Sequence, residues 1–327
     1  MRRFLRRILP LPLGIRFFPV HGAPLVSNDP PLLRLAHLCD LHFTMSKNSR
    51  YPAGPVILRH AVSALNAKKL DGVLFTGDLF DLPSQLSEDA PLFAEIMRGL
   101  RHPWYVALGN HDVLGRRAAR RRTFLADTLG DRGLSVAGTA WYSMPLSPGI
   151  QLIVIDTTDN GKSDYDTWQG HFSEQQARWL DCTLNELREH LVIIAAHHPP
   201  ATPYPFMRSL KFQERDKQRL AAVLARHPQA RTLICGHFHL ASCLPFGPAR
   251  VLAGPALIEH PHGFRILEVR PEYRAIGFDI HWVSLTQADE MLCTEGPGML
   301  LSRMLGHLSC ARTGHLPYHH QTREKSG

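Results

Sequence analysis

Five short apolar runs in this chain each stop at a residue type that binds metals. Leu35–Cys39 ends in Asp40-x-His42, Val73–Thr76 in Gly77-Asp78, and Trp104–Leu108 in Gly109-Asn110-His111-Asp112. Leu191–Ala196 ends in His197-His198, and Thr232–Cys235 in Gly236-His237-x-His239. A buried strand followed at once by Asp, Asn or His places that side chain at the strand's carboxyl end, where open α/β sheets build their sites. One such junction is chance. Five in order, drawn from this residue set, point to strand ends converging on a two-metal centre.

Composition narrows the setting. At 327 residues and 44% hydrophobic, the chain can bury one large domain. Its net charge of +8 is concentrated at the ends: residues 1–20 carry five Arg and no acid, and residues 303–327 carry a further +3. Residues 21–302 are therefore neutral overall. A nucleic-acid-binding body would carry its own basic face, so no nucleic-acid partner is expected. The six Cys show no C-x-x-C pair, and Cys39 and Cys235 fall inside expected buried strands. They read as reduced, packed thiols of a cytoplasmic protein.

Three regions are expected: a basic segment over 1–30, a catalytic domain over 31–285 and a partly disordered extension over 286–327. In the first, Phe4, Leu5, Ile8 and Leu9 share one helical face, with Arg2, Arg3, Arg6 and Arg7 largely on the other. It reads either as an amphipathic piece on the anionic, cytoplasmic face of a membrane or as a solvated tail. No run of about 20 apolar residues is available to span a bilayer. Helical spacing is expected over 57–69, 92–100, 116–129, 173–190 and 211–226, with Ser173 as an N-cap. The helix over 116–129 carries Arg116, Arg117, Arg120, Arg121 and Arg122. It reads as a solvated face or as an anion-steering surface that lets Arg116 and Arg117 meet substrate.

Hydrolysing a phosphate ester needs a way past the negative oxygens that repel an incoming hydroxide. Two divalent cations about 3.5–4 Å apart neutralise those oxygens and generate hydroxide near neutral pH. Carboxylate and amide oxygens with imidazole nitrogens suit such ions, and one carboxylate can bridge both. Asp40, His42, Asp78, Asn110, His197, His237 and His239 supply that set. Taken singly, Asp40 or Asp78 would serve equally as a helix N-cap and Asn110 as a turn residue.

Together, Asp40-x-His42, Gly77-Asp78-x-x-Asp81, Gly109-Asn110-His111-Asp112, His197-His198-Pro-Pro and Gly236-His237-x-His239 resemble the calcineurin-like metallophosphoesterases over residues 35–239. The resemblance implies a four-layer αββα sandwich of two mixed sheets with flanking helices. It implies Asp40, His42 and His239 on a first metal, Asp78 bridging, and Asn110, His197 and His237 on a second. Hydrolysis by a metal-bridging hydroxide follows, with His111 at the leaving oxygen and Asp112 orienting His111. The x-Pro turn makes His197 the ligand and leaves His198 lining the site against substrate. The metals are Mn, Fe or Zn. Asp81 is expected to stabilise a loop, Asp156 to be a turn or supporting group, and His260 and His262 to be surface or structural residues.

The metal motifs do not select a substrate, because that choice lies in the loops. Gly170-x-x-Ser-x-Gln-Gln-x-x-Trp-Leu resembles the helix start of cyclic-nucleotide and glycerophosphodiester phosphodiesterases, which favours a phosphodiester. A second reading is a membrane-associated pyrophosphatase acting on a lipid-linked substrate such as UDP-2,3-diacylglucosamine. One branch of such relatives has Arg where this chain has His111. Apolar loops over 141–148 and 199–211 could meet acyl chains or simply pack. A third reading, from another class, is a non-catalytic scaffold; retention of all seven ligands and His111 counts against it.

Overall fold

In β1 (Leu33–Leu38), Leu33 and Leu35 face one side and Ala36 and Leu38 the other, and all four are buried. A strand buried on both faces needs a layer on each side. The computed structural model describes residues 30–113, 117–130, 140–158, 168–202, 212–260, 262–272, 275–285 and 314–318. After β1 come α1 (Gly54–Asn66), β2 (Gly72–Thr76), α2 (Leu86–Met97), β3 (Trp104–Ala107), α3 (Asn110–Val113) and α4 (Ala118–Leu129). The second half holds β4 (Tyr142–Ser147), β5 (Ile150–Val154), α5 (Glu174–Glu186), β6 (Leu191–Ala195), α6 (Glu214–Arg226) and β7 (Thr232–Cys235). It closes with β8 (Ser242–Phe246), β9 (Ala249–Ala253), β10 (Gly263–Glu272), β11 (Ala275–Ser284) and β12 (Gly314–Tyr318).

The strands form two six-stranded sheets, ordered β12-β11-β10-β1-β2-β3 and β4-β5-β6-β7-β9-β8. Strands β1 to β3 are parallel, as are β5, β6, β7 and β9; the remaining strands pair antiparallel, so both sheets are mixed. Between the sheets pack Leu33, Leu35, Leu74, Leu152, Val154, Ile193 and Ile234. On the outer face of the first sheet, Ala36, Val73, Phe75 and Val106 meet α1, α2 and α4. On that of the second, Ile153, Val192, Ile194 and Leu233 meet α5 and α6. This is the expected αββα sandwich. All five ligand-bearing strands run parallel within their sheets, so their carboxyl ends emerge along one edge.

An aromatic cluster braces that edge. Phe93 of α2 lies with ring centroids 5.2 to 6.3 Å from Phe43, Phe80, Phe75 and Trp104. Phe43 and Phe80 stand one and two residues beyond His42 and Asp78, and they bridge in parallel past the ends of β1 and β2. Such pairs contribute about 0.5–1.5 kcal/mol each beyond their burial. The packing therefore holds the metal-ligand loops as well as the domain.

One polar group interrupts the layer between the sheets. His37 Nε2 lies 2.8 Å from the Thr76 hydroxyl, and its Nδ1 accepts from Arg265 Nη2 at 3.1 Å. The same Arg265 nitrogen donates to the Ala253 carbonyl at 2.8 Å, so one contact set joins both sheets. Burial first, and then the Arg265 charge, hold the His37 ring well below its ordinary value of 6.5. A ring kept neutral in the fold but protonated in the unfolded chain stabilises above pH 6.5 and loses that contribution as pH falls. The loss is at most about 1.4 kcal/mol per pH unit. Urea unfolding of wild type and His37→Gln at pH 7.5, 6 and 5 is expected to show a shallower acid loss in the variant. Parallel pH dependences would remove His37 from the acid sensitivity.

Several expectations are corrected. The apolar segment 141–148 is not a loop: β4 is an edge strand paired to β5, with a bulge between Pro145 and Ser147. Edge strands tolerate such prolines, which hide them from pattern reading. Helix α2 starts at Leu86, six residues before the expected start, and runs through Pro91. Strand β8 was not anticipated. Strand β12, from the segment beyond 285, pairs with β11. Most of a strand expected over 134–140, residues 1–29 and most of 199–211 lie outside the described residues. No helix among the described residues is long and apolar enough to cross a membrane.

Candidate metal centre

Backbone strain marks the site. The non-glycine residues with positive φ among those described are Asp40, His42, Asp78, His237 and His239, at 47° to 72°. All five are among the expected ligands. Left-handed backbone disfavours such side chains, and this strain persists only where surrounding contacts over-determine it. Here the loops hydrogen-bond to one another: Asp40 N to Gly77 O at 3.0 Å, His42 N to Asp78 O at 2.9 Å and Gly236 N to His197 O at 3.0 Å. Gly77 has φ of 89°, and a Cβ there would collide with the His197 ring. Only glycine lets the second sheet's histidine come this close to the first sheet's loop.

The seven expected ligands fall into two groups. His42 Nε2 and His239 Nε2 face each other at 3.2 Å, and His239 Nε2 lies 3.6 Å from Asp40 Oδ1. His197 Nε2 lies 3.0 Å from Asn110 Oδ1 and 3.2 Å from His237 Nδ1. Asp78 Oδ2 stands between the groups, 3.8 Å from His42 Nε2 and 3.4 Å from His197 Nε2. The other carboxylate oxygen accepts from the His111 N–H at 2.8 Å. Ring nitrogens facing each other in this way, with carboxylates beside them, have the donor chemistry that a cation satisfies. Asp40, His42 and His239, and likewise Asp40, Asp78 and His197, each offer ligand atoms within 4.8 Å of one another. The residues present thus fit divalent metal ions.

The electrostatics are those of an anion held among imidazoles. Burial pushes the Asp78 carboxyl up, but His197, His111 and His42 outweigh it and hold the group well below the usual range. Burial likewise pushes His197 down, while Asp78 and Asp40 raise it to about 9. His239 rises to about 8, because Asp40 and Glu259 overcome its burial.

Beyond the ligands, several roles differ from expectation. Asp112 does not hold the His111 ring. Its carboxylate accepts from Phe80 N at 2.9 Å and Gly109 N at 2.8 Å, bracing two ligand loops. Burial, then the Asp78 charge, push its carboxyl up to about 7. The His111 ring instead meets the Asp81 carbonyl, with Nδ1 at 2.8 Å. Asp81, expected to stabilise a loop, does accept from Ser49 Oγ at 2.5 Å, and its carboxylate also lies 3.4 Å from His42 Nδ1. His198, expected to touch substrate, is fully buried. Its Nδ1 lies 2.8 Å from the Thr157 hydroxyl, and its ring packs on His197 and His237. Arg117 is exposed at the N-cap of α4, and Arg116 lies outside the described residues.

Asp156 acts at a turn and as a tie. It accepts from Thr158 N at 2.8 Å and from Arg122 Nε at 3.0 Å, linking the basic helix α4 to the second sheet. Ser173 caps α5, accepting from Gln176 N at 3.2 Å. His262 is buried, with Nδ1 3.1 Å from the Leu257 carbonyl.

Sequence reading missed Glu259. Its Oε1 lies 3.0 Å from His239 Nδ1 and accepts from Tyr51 OH at 3.1 Å. It stands 20 residues beyond the last ligand in a segment without periodicity, so no local signal marks it. A carboxylate on the far nitrogen of a ligating imidazole fixes its orientation and basicity, and losing one costs about 10–100-fold in metal affinity. Glu259→Ala is expected to show that loss in a competitive chelator titration. Unchanged affinity would make the contact incidental.

Comparison with known proteins places these features. Residues 33–241 match the family described as calcineurin-like phosphoesterase. The chain is 31% identical over 175 residues to a probable glycerophosphodiester phosphodiesterase GpdQ of Arcobacter nitrofigilis, covering 53% of this chain and 58% of that protein. It is 27% identical over 232 residues to the 3',5'-cyclic adenosine monophosphate phosphodiesterase CpdA of Escherichia coli K12, covering 69% and 74%. A dimetal phosphatase from Danio rerio shares the fold, with a TM-score of 0.63 at 16% identity over 78% of this chain and 97% of that one. All five strand-end junctions lie inside the matched span, and the chain belongs to the calcineurin-like phosphoesterase family.

Proposed function

We propose that this chain hydrolyses a phosphodiester, using two divalent cations held in the catalytic domain over 31–285. The observation that carries this reading is Asp78, one carboxylate oxygen within 4 Å of imidazoles from both donor groups. Asp40, His42, Asp78 and His239 would hold one ion, and Asp78, Asn110, His197 and His237 the other. When bound, such a pair supplies charge neutralisation of the phosphate oxygens and a water acidified toward neutrality.

The chain's own residues do the rest. Hydrogen bonds between neighbouring loops hold both donor groups before substrate arrives, and the aromatic cluster braces the first sheet's loops. His111 is anchored through its backbone N–H on Asp78 and through Nδ1 on the Asp81 carbonyl. A carbonyl only accepts, so Nδ1 carries a proton and Nε2 is the nitrogen left to face the leaving oxygen. A water oxygen forms the new bond to phosphorus as the ester P–O bond breaks; the ring in its imidazolium form, Nδ1–H still held on the Asp81 carbonyl, gives the departing oxygen a proton from Nε2, and the proton shed by the water restores that form. A diester rather than a monoester is supported by the names of the relatives and by the Gly170–Leu180 pattern.

The test is a panel of bis(p-nitrophenyl) phosphate, p-nitrophenyl phosphate, cyclic AMP, a glycerophosphodiester and a UDP-linked acylated sugar. Chelator-stripped protein would be reloaded separately with Mn, Fe or Zn. Diester turnover that vanishes on stripping and returns on reloading is the expected result. No turnover of any substrate with any metal would leave a scaffold.

A further inference from the structure

Trp168 stands apart from the metal donors. It is 46% exposed, and its ring lies 5.5 Å from that of His111, perpendicular to it. A single exposed aromatic needs no explanation. This one is distinguished by its place on a pinned segment that reaches both halves of the site. Two residues on, a Cβ on Gly170 would lie 2.6 Å from His198 Cβ and 2.9 Å from Phe212. The Gly170 carbonyl accepts from Gln213 N at 2.9 Å, and His171 N donates to the Thr157 carbonyl at 2.9 Å. The chain thus runs from His198, packed on the second donor group, out to His111 at the leaving side. The aromatic ring stands two residues before this pinned stretch.

We propose that Trp168 is the specificity-determining residue of this site, stacking on the planar base of a nucleoside-bearing phosphodiester. The inference rests on the phosphodiesterase reading above and deepens it. A ring beside the residue that meets the leaving oxygen contacts the alcohol portion of the substrate, not the phosphate. A flat π-face rewards a flat heteroaromatic partner. A glycerol or ethanolamine portion has no ring to offer it.

The quantity to measure is a ratio: kcat/KM for 3',5'-cyclic AMP over that for glycerophosphoethanolamine, in metal-loaded full-length protein. Base–aromatic stacking lost on alanine substitution corresponds to about 5- to 150-fold. Trp168→Ala is expected to lower the ratio by a factor in that range, and Trp168→Phe to restore most of it. An unchanged ratio overturns the proposal. So does an equal fall for both substrates, which would make Trp168 a support for His111 alone. A binding arm separates this proposal from the function itself. Calorimetry would compare AMP with glycerol 3-phosphate on wild type and Trp168→Ala. If wild type turns over no diester, the phosphodiesterase reading fails, while the AMP preference and its loss in Trp168→Ala still decide the stacking role. No AMP preference in wild type overturns it.

Discussion

Asp78→Ala is expected to strip the protein of both metals and to lower diester kcat/KM by on the order of 10³-fold or more. The reason is geometric. Asp78 Oδ2 is the atom near both His42 and His197, while Oδ1 holds the backbone of His111. Asp40 also comes within 4.8 Å of His197, but Asp78 is the carboxylate with imidazole nitrogens of both groups inside 4 Å. Without Asp78, imidazoles converge with half the compensating negative charge gone, and a second cation would have to enter beside the first with no shared anion between them. Metal content after dialysis, read by atomic emission, checks this directly. Asp78→Asn separates charge from contact, since an amide oxygen can still accept from His111 N. It is expected to retain the fold and lose most of the metal. An Asp78→Ala protein that keeps two metals per chain would end the bridging assignment.

His111→Ala is expected to behave in the opposite way, keeping its metals but losing about 10²- to 10⁴-fold in turnover. The side chain is bonded through Nδ1 to a carbonyl, and its ring is partly open between His42, 4.7 Å away, and Trp168. In the proposed mechanism it would exchange a proton with substrate rather than close a cation's coordination. The loss is expected in kcat more than in KM, because the contact forms as the leaving oxygen gains charge. Full turnover in the variant removes His111 from the mechanism. Loss of metal instead would make it a ligand. The pair of variants therefore separates holding the metals from moving the proton.

The donor set was legible in the chain because it depends on a local pattern: a strand-length apolar run followed by Asp, Asn or His. The same locality explains the failures. Asp112 sits one residue from His111, and the resemblance implied that it orients the ring. In the fold α3 turns its carboxylate back onto Phe80 N and Gly109 N, and the Asp81 carbonyl, 30 residues away, takes the ring instead. His198 sits beside His197, yet it faces Thr157 and is wholly buried. Strand β4 escaped notice because an edge strand with a proline and a bulge has no clean alternation.

From sequence alone came the seven residues that the two sheets bring together, since a strand-length apolar run and a ligand-type residue are properties of short segments, and the αββα class came with the family resemblance those motifs carry. Their division into two groups around Asp78 was implied by the resemblance and by no spacing along the chain; the tertiary structure gives it distances. His42 and His239 meet across 197 residues of chain, and His197 and Asn110 across 87. The tertiary structure alone put five of the expected ligands into left-handed backbone, because that strain is sustained by hydrogen bonds between loops distant in sequence. It also brought Glu259 to His239 and Trp168 to His111, contacts made by folding distant loops onto one edge, which no spacing along the chain can announce.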